Sequence, residues 1–334
     1  MSNIFIPRHE LENLILSAFL NSDVSETNAA SVAAALTQAQ MDGQVGHGVS
    51  RVASYCAQSR SGKVQGHAKP HIIAETASGM RVDAGYGFAF PAIDLALHEL
   101  GNKAKSMGIA AAAICRSHHF GVAGWHVERL AQQGLLGLVV GNSPAAIAPF
   151  GGFKPIFGTN PIAFATPRID AEPLVIDLSL SEVARGKVMV AAKEGRAIPE
   201  GWGLDRDGCP TTDPNAVLGG SMLPMGGAKG AALVLMVEIL AAALSGSNFG
   251  FEASSFFEAE GESPAVGQTL ICIDPELFSG GCFSQRLELL LTQLLDQDGT
   301  RLPGTRRLNL REQAEIDGIA VSQVLFDELI QLVG

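Results

Sequence analysis

No G-x-G-x-x-G occurs anywhere in the 334 residues, so the glycine fingerprint of a dinucleotide-binding Rossmann turn is missing. P-loop, HExxH and GxSxG motifs are absent too. Their absence removes the common signatures of phosphate cradling, zinc-dependent hydrolysis and a serine nucleophile elbow. Cysteine is sparse: Cys56, Cys115, Cys209, Cys272 and Cys282 are scattered, odd in number and without CxxC spacing. They read as reduced thiols of a cytoplasmic protein and argue against a zinc or other metal site. Positive charge is short, with 23 Lys and Arg against 34 Asp and Glu and a formal net charge of −11. Nucleic acid and anionic membrane surfaces are therefore poor partners, because phosphate binding depends on Lys and Arg. Long apolar runs are lacking as well. "GIAAAAIC" is too short to span a bilayer and "GAALVLMVEILAAAL" carries Glu238. The N-terminal "MSNIFIPRHELENLIL" has no basic region, apolar core and small-residue cleavage site in succession, so it reads as no signal peptide.

What remains is a chain rich in core-forming residues, 47% hydrophobic and 17% charged, with room for two domains or one large one. "PRHELENLILSAFLNSDV" and "SETNAASVAAALTQAQMDG" read as helices, the second with Ser25 or Thr27 as cap and Gly43 as terminator. "VSRVASYCAQSRSG" reads as a third helix, with His47 in the junction before it. "HIIAETASGMRVDAG" reads as two short strands joined at a Ser-Gly turn. Helices and apolar strands then alternate: "PAIDLALHELGNKAKSMG", "IAAAAIC", "VAGWHVERLAQQG", "LLGLVVGNS", "PIAFATPR", "EPLVIDLS" and, after the helix "GAALVLMVEILAAALSG", "QTLICID". Such alternation indicates an α/β layer structure. The tail "FSQRLELLLTQLLDQDG" and "REQAEIDGIAVSQVLFDELIQLV" reads as helical again. The expected organisation is a discontinuous helical domain, residues 1–65 with 283–334, around an α/β region, residues 66–282, with a possible subdivision near 120–140.

Several stretches place reactive or anion-binding groups where a ligand collects. In "CRSHHFGVAGW", Ser117, His118, His119 and Gly121 stand between a buried strand and a helix, at the edge where α/β folds bind ligands. Thr159 and Asn160 precede Pro161, which keeps Asn160 extended, and Asp177 closes the apolar run "PLVID". Each also reads as an ordinary turn or cap. Arg185 offers a guanidinium that can grip a carboxylate, although most single arginines are simply solvated. In "MLPMGGAKGAALVLMVEIL" two glycines and Lys229 open a long helix, and "TRLPGTRR" gathers three arginines around a Pro-Gly turn. Either could hold a phosphate or carboxamide, or be a solvated loop. Finally, "MDGQVGHGVSRVASY" sets His47 between glycines with Arg51 one helical turn on. A histidine can surrender a proton as hydride reaches a C=O or C=N carbon, while an arginine on the same side holds a carboxylate.

The motifs run DG-x-x-x-HG-x-x-R, SHHFG, FGTNP, strand-ending DLS, GLDRDGCPTTDP, a GG-x-KG helix start and LPGTRR. In that order they resemble the malate/L-lactate dehydrogenase superfamily of non-Rossmann NAD(P)-dependent oxidoreductases, from about residue 8 to 330. Within it, "IFGTNPIAF", "AAKEGRAIPEGWGLDRDG" and "GSNFGFE" are most similar to the Δ1-piperideine-2-carboxylate/Δ1-pyrroline-2-carboxylate reductases. The resemblance implies a sulfolactate dehydrogenase-like α/β fold with a mixed, largely antiparallel sheet covered by helices, plus a helical domain from both chain ends. It implies His47 as proton donor and Arg51, Thr159 and Arg185 as substrate contacts, with the substrate carboxylate on Arg51. Cofactor contacts would come from His119, Phe120, Gly121, Val122 and Ala123, from Asp177, Leu178 and Ser179, and from Ala228 and Lys229. The loop Thr300, Arg301, Leu302, Pro303, Gly304, Thr305 and Arg306 would complete that site. The cofactor would be NADPH, with NADH as the alternative, and the protein a cytoplasmic homodimer acting on a small imino or 2-oxo acid. One position departs from the family: Gly46 stands where a relay serine precedes the histidine, which leaves water or another side chain, with Asp42 and Ser50 nearest in sequence, to take its role.

Three readings follow. The first is NAD(P)H-dependent reduction of a cyclic 2-imino acid to L-proline or L-pipecolate, in proline, hydroxyproline or lysine catabolism. The second is a 2-hydroxyacid dehydrogenase acting on malate, lactate, ureidoglycolate or a similar compound. The third is a non-catalytic relative that retains the cofactor pocket.

Overall fold

In the computed structural model, which describes residues 3–334, a short strand β1 (Asn3–Ile6) leads into α1 (Arg8–Leu20) and α2 (Glu26–Met41). Ser25 stands at the N-cap of α2 without a side-chain capping bond, and Gly43 follows the helix at φ +72°, the left-handed conformation that ends it. The third helix starts later than the sequence suggests. Two 3₁₀ turns, Val45–His47 and Val49–Arg51, precede α3 (Val52–Arg60). Gly48 between them is required by a close approach to α2, since a Cβ there would lie 2.4 Å from Gln40 Oε1 and 3.0 Å from Gln40 Cα. Val49 N donates to that same Gln40 Oε1 at 3.1 Å, so the loop carrying His47 is tied to α2.

The chain then builds one seven-stranded sheet. Strands β2 (His71–Glu75) and β3 (Gly79–Asp83) form the expected hairpin. Helix α4 (Ala89–Met107), β4 (Ile109–Ser117), α5 (Ala123–Ala131), β5 (Leu136–Gly141), β6 (Ile162–Thr166) and β7 (Leu174–Leu178) follow. Helix α6 (Arg185–Lys193) opens an excursion through β8 (Gly203–Leu204), α7 (Pro214–Gly219) and β9 (Ser221–Met222). Helix α8 (Ala228–Glu238) continues into a π-helical turn, Ile239–Ala243, before β10 (Val266–Ile273). The strand order is β2-β3-β4-β10-β5-β6-β7, antiparallel throughout except for the parallel β3–β4 pair. This is the mixed, largely antiparallel sheet that the motif order implies. Ile93, Leu97 and Leu100 of α4 and Val127 and Leu130 of α5 close over Ile114, Val139 and Leu270 of the sheet. No helix among the described residues is long and apolar enough to cross a membrane.

After α9 (Pro275–Ser279) and α10 (Phe283–Leu295), the tail departs from the sequence reading. Instead of a continuous helical stretch, α11 (Thr305–Asp317) ends at Gly318 (φ +89°), a strand β11 (Ile319–Ser322) pairs antiparallel with β1, and α12 (Gln323–Val333) follows. Ile319 and Val321 are buried while Ala320 between them is exposed, a period of two that four residues cannot advertise against helical flanks. A second apolar core joins Ile15, Phe19, Leu36 and Tyr55 to Ile319, Val321 and Leu329, so both ends of the chain share one interior.

Candidate active site

His47 ends the first 3₁₀ turn and Arg51 ends the second, which brings both side chains to one rim between α2 and α3. Arg51 is fixed from two sides: Nε donates to Gly46 O at 2.7 Å, and its guanidinium lies 4.5 Å from the Phe257 ring centroid. Nη1 of Arg51 is sealed from solvent with no partner among the described residues. A guanidinium nitrogen without a partner retains the capacity to donate to an anionic oxygen. Burial first, and the adjoining Arg51 charge second, push the His47 imidazole down to about 4, so it is neutral at physiological pH.

Of the neighbours proposed to replace the missing serine, neither serves. Both Asp42 carboxylate oxygens are engaged by Arg311, with Arg307 Nη1 at 3.3 Å and Gln38 Nε2 at 3.0 Å completing the shell. Ser50 Oγ donates to Val45 O at 2.6 Å. What adjoins the imidazole is His119: the two rings stack at 5.4 Å between centroids and 18° between planes. His119 Nδ1 is in turn hydrogen-bonded to the Tyr55 hydroxyl. Phe256 packs on His118 at 5.2 Å and on His119 at 5.1 Å. The loop bearing Phe256 and Phe257 is held by buried Lys63, whose Nζ donates to Ser255 O, Glu258 O and Glu260 O at 2.7, 3.0 and 3.2 Å. Gly46 itself has nothing within 4 Å of an added Cβ, so the missing hydroxyl is not excluded sterically.

From His119 a continuous path of contacts reaches the other expected residues. The segment ends β4 and enters α5, where Asp177 Oδ2 accepts from Gly124 N at 2.8 Å. Asp177 therefore caps the helix at which an anion was expected and shares that amide dipole with any ligand there. Beyond β7, Leu180 N donates to Thr159 O at 2.9 Å, and Met225 N donates to Leu180 O at 3.0 Å. Thr159, the Asp177 to Ser179 segment and the turn leading to Ala228 and Lys229 thus lie along adjoining backbones at one end of the sheet. Thr159 N donates to Ser143 Oγ at 3.1 Å. Asn160, at φ +40°, donates to Glu238 Oε2 at 2.7 Å, and Glu238 Oε1 accepts from Asn142 Nδ2 at 3.0 Å and Gly250 N at 2.8 Å. The Glu238 that interrupts the apolar helix is the buried hub fixing the Thr159 turn. Arg185 is half-buried, with Ala145 O at 3.5 Å as its one side-chain hydrogen-bond partner and no carboxylate paired to it among the described residues.

Some expected contacts are not offered as side chains. The Phe120 ring is buried and stacked on His126 at 5.8 Å, and Val122 and Ala123 are buried, so that segment can present only backbone. Thr300 Oγ1 is turned back onto Leu294 O and Gln297 O, both at 2.7 Å. The 301–307 loop and residues 42–44 line a cleft of about 470 Å³ beside the His47 turn. Of its three arginines, Arg307 is committed: with Arg311 it forms an enclosed ion network with Asp42 and Glu128, at 2.8 Å to Glu128 Oε2. Burial alone would push the Glu128 carboxyl up, but hydrogen bonds from Arg311 and Arg307 outweigh it and hold it low. Arg301 and Arg306 are exposed and carry no ion pair among the described residues, which fits a cleft that takes phosphate. Sequence reasoning missed Tyr55, Lys63, Ser143 and Glu238; only the position of Tyr55, one helical turn after Arg51, offered a signal.

Residues 6–330 match the malate/L-lactate dehydrogenase family. The chain is 51% identical, over 97% of its length and 96% of the relative's, to "(2R)-3-sulfolactate dehydrogenase (NADP(+))" of Chromohalobacter salexigens. It is 43% identical, over 98% of its length and 97% of the relative's, to the Δ1-pyrroline-2-carboxylate/Δ1-piperideine-2-carboxylate reductase of Pseudomonas putida. The crystal structure of Δ1-piperideine-2-carboxylate reductase from Pseudomonas syringae superposes with a TM-score of 0.94 at 43% identity, covering 98% of this chain and 99% of that one.

Proposed function

The chain belongs to the malate/L-lactate dehydrogenase family, and from that premise we propose that it is an NAD(P)H-dependent reductase of cyclic 2-imino acids, Δ1-pyrroline-2-carboxylate or Δ1-piperideine-2-carboxylate. The observation that carries the reading is the unpartnered, sealed Nη1 of Arg51 beside His47. A substrate carboxylate on Arg51 would offset its charge, the second cause, after burial, of the low His47 value. The bound acid would thereby raise the proton affinity of the donor. Thr159, set by Ser143 and the Glu238 hub, would meet the substrate from the other side. The bound nicotinamide cofactor supplies the hydride. Arg301 and Arg306 would hold its phosphates, and the extra phosphate of NADP fits a cleft with two unpaired guanidinium groups. What the protein contributes is orientation, the carboxylate anchor and one proton.

A second reading, a 2-hydroxyacid dehydrogenase, is favoured by Arg185. A half-buried cation without an acidic partner suits a substrate with a second anionic group, and the relative named for 3-sulfolactate acts on such a compound. The test is oxidation of NADPH and NADH with pyrroline-2-carboxylate, piperideine-2-carboxylate, pyruvate, oxaloacetate and the 2-oxo acid of 3-sulfolactate. Turnover confined to the imines upholds the first reading; turnover confined to the sulfonated acid replaces it with the second. Arg185→Met sharpens the result. Loss of one charged hydrogen bond is expected to lower kcat/KM for the sulfonated acid by about 10²-fold while changing imine reduction by about threefold or less.

We further infer a homodimer, using the helical ends, where Phe5, Leu20, Ile316 and Val324 are exposed apolar residues. Sedimentation equilibrium at micromolar concentration is expected to give twice the 34.9 kDa chain mass; the chain mass alone would rule it out.

A further inference from the structure

We propose that Tyr55, acting through His119, is a positioning residue that holds the His47 ring in the orientation from which its proton is delivered. The proposal rests on His47 being the proton donor. It deepens that assignment by identifying what steadies an imidazole that has no hydrogen-bond partner of its own among the described side chains.

Tyr55 is fully buried, one helical turn after Arg51, and its ring is locked by Phe88 at 5.7 Å and His118 at 5.5 Å. Burial pushes its phenol up, so it is neutral and its hydroxyl proton needs an acceptor. His119 Nδ1 is the one acceptor it meets among the described residues, so Tyr55 donates to it. A histidine that accepts at Nδ1 carries its own proton on Nε2. Tyr55 thus fixes both the tautomer and the tilt of His119. The ring so fixed is the surface on which His47 stacks, with planes 18° apart.

The stack also works electrically. The groups facing the two imidazoles are Arg51 from the turn before α3, His118 from the end of β4 and, behind it, Lys63. Burial, then the charges of Lys63 and Arg51, push His118 down to about 3; both its ring nitrogens lack partners, and it acts as neutral packing. His119 is likewise held well below its ordinary value by burial and then Arg51. Neighbours that stay neutral add no positive charge to the face on which His47 stacks.

The test combines a spectroscopic and a kinetic arm on the full chain. In ¹⁵N-histidine NMR of the wild-type protein at neutral pH, His119, assigned with His119→Ala, is expected as the Nε2–H tautomer with Nδ1 accepting a hydrogen bond. Nδ1 protonation overturns the proposal, and this arm needs neither a substrate nor a Tyr55 variant that folds. In turnover, Tyr55→Phe keeps the ring and removes only the hydroxyl. It is expected to lower kcat about tenfold with KM within about twofold, and to move the pH at which kcat declines. In a His119→Ala background, Tyr55→Phe is expected to have no further effect. A folded Tyr55→Phe protein with wild-type kcat and pH profile, or losses that multiply in the double variant, overturns it. Should no imino or 2-oxo acid be turned over, the functional reading falls while the tautomer still reports on Tyr55.

Discussion

Replacing His47 with alanine is expected to lower kcat for the preferred imino or 2-oxo acid by about 10²–10⁴-fold, the range for removing a positioned proton donor. KM should change little, because the carboxylate anchor is Arg51. The fold should survive, since His47 lies on a half-buried 3₁₀ turn held through Gly48 and Val49 rather than through the imidazole. A second signature separates loss of chemistry from loss of structure. With His47 as the proposed proton donor, the wild-type kcat is expected to fall as pH rises through the imidazole's value in the substrate complex; the residual rate of His47→Ala should lack that fall. Steady-state kinetics from pH 5 to 9 read both. Turnover of every tested substrate at the wild-type rate would remove His47 from the chemistry.

The second large effect belongs to Arg51. Arg51→Met is expected to lower kcat/KM by about 10²–10⁴-fold, because truncating one partner of a desolvated charge pair costs about 3–5 kcal/mol and each 1.4 kcal/mol is tenfold. The loss should fall on KM as well as kcat, unlike that of His47→Ala, since the anchor acts in the ground state too. The variant also carries a pH consequence of determined sign. Burial and the Arg51 charge together hold His47 down to about 4 in the free protein. Removing that charge leaves burial alone, so the imidazole of the free variant should titrate at higher pH than in the wild type, measurable by NMR without any substrate. A His47 titration unchanged in Arg51→Met would show that the two side chains do not sense each other.

The sheet, its strand ends and the order of the functional segments were legible because each depends on short-range pattern. Apolar runs such as "IAAAAIC" and "TLICI" mark strands, Gly43 marks a helix end, and one helical turn between His47 and Arg51 places both on one rim. The four-residue strands β1 and β11 escaped because each finds its partner more than 300 residues away, and neither is long enough to show its period alone. The arginine-rich loop offered three arginines in sequence, either for a phosphate or as a solvated loop. Asp42 and Glu128, from two other elements, take Arg307 and leave Arg301 and Arg306 for a ligand. Asp42 likewise looked available to His47 in sequence and is spent on Arg311 in space.

By itself, then, the sequence determined the family, the non-Rossmann α/β fold and the candidate groups: an imidazole and a guanidinium one helical turn apart, and turns rich in backbone amides and arginine. Folding alone decided which of those groups remain free to act and which are consumed by neighbours. Residue type and local spacing set a side chain's chemical capacity. Its partners come from segments 64 residues away for Tyr55 and His119 and 269 for Asp42 and Arg311, and no local period encodes a contact at that range.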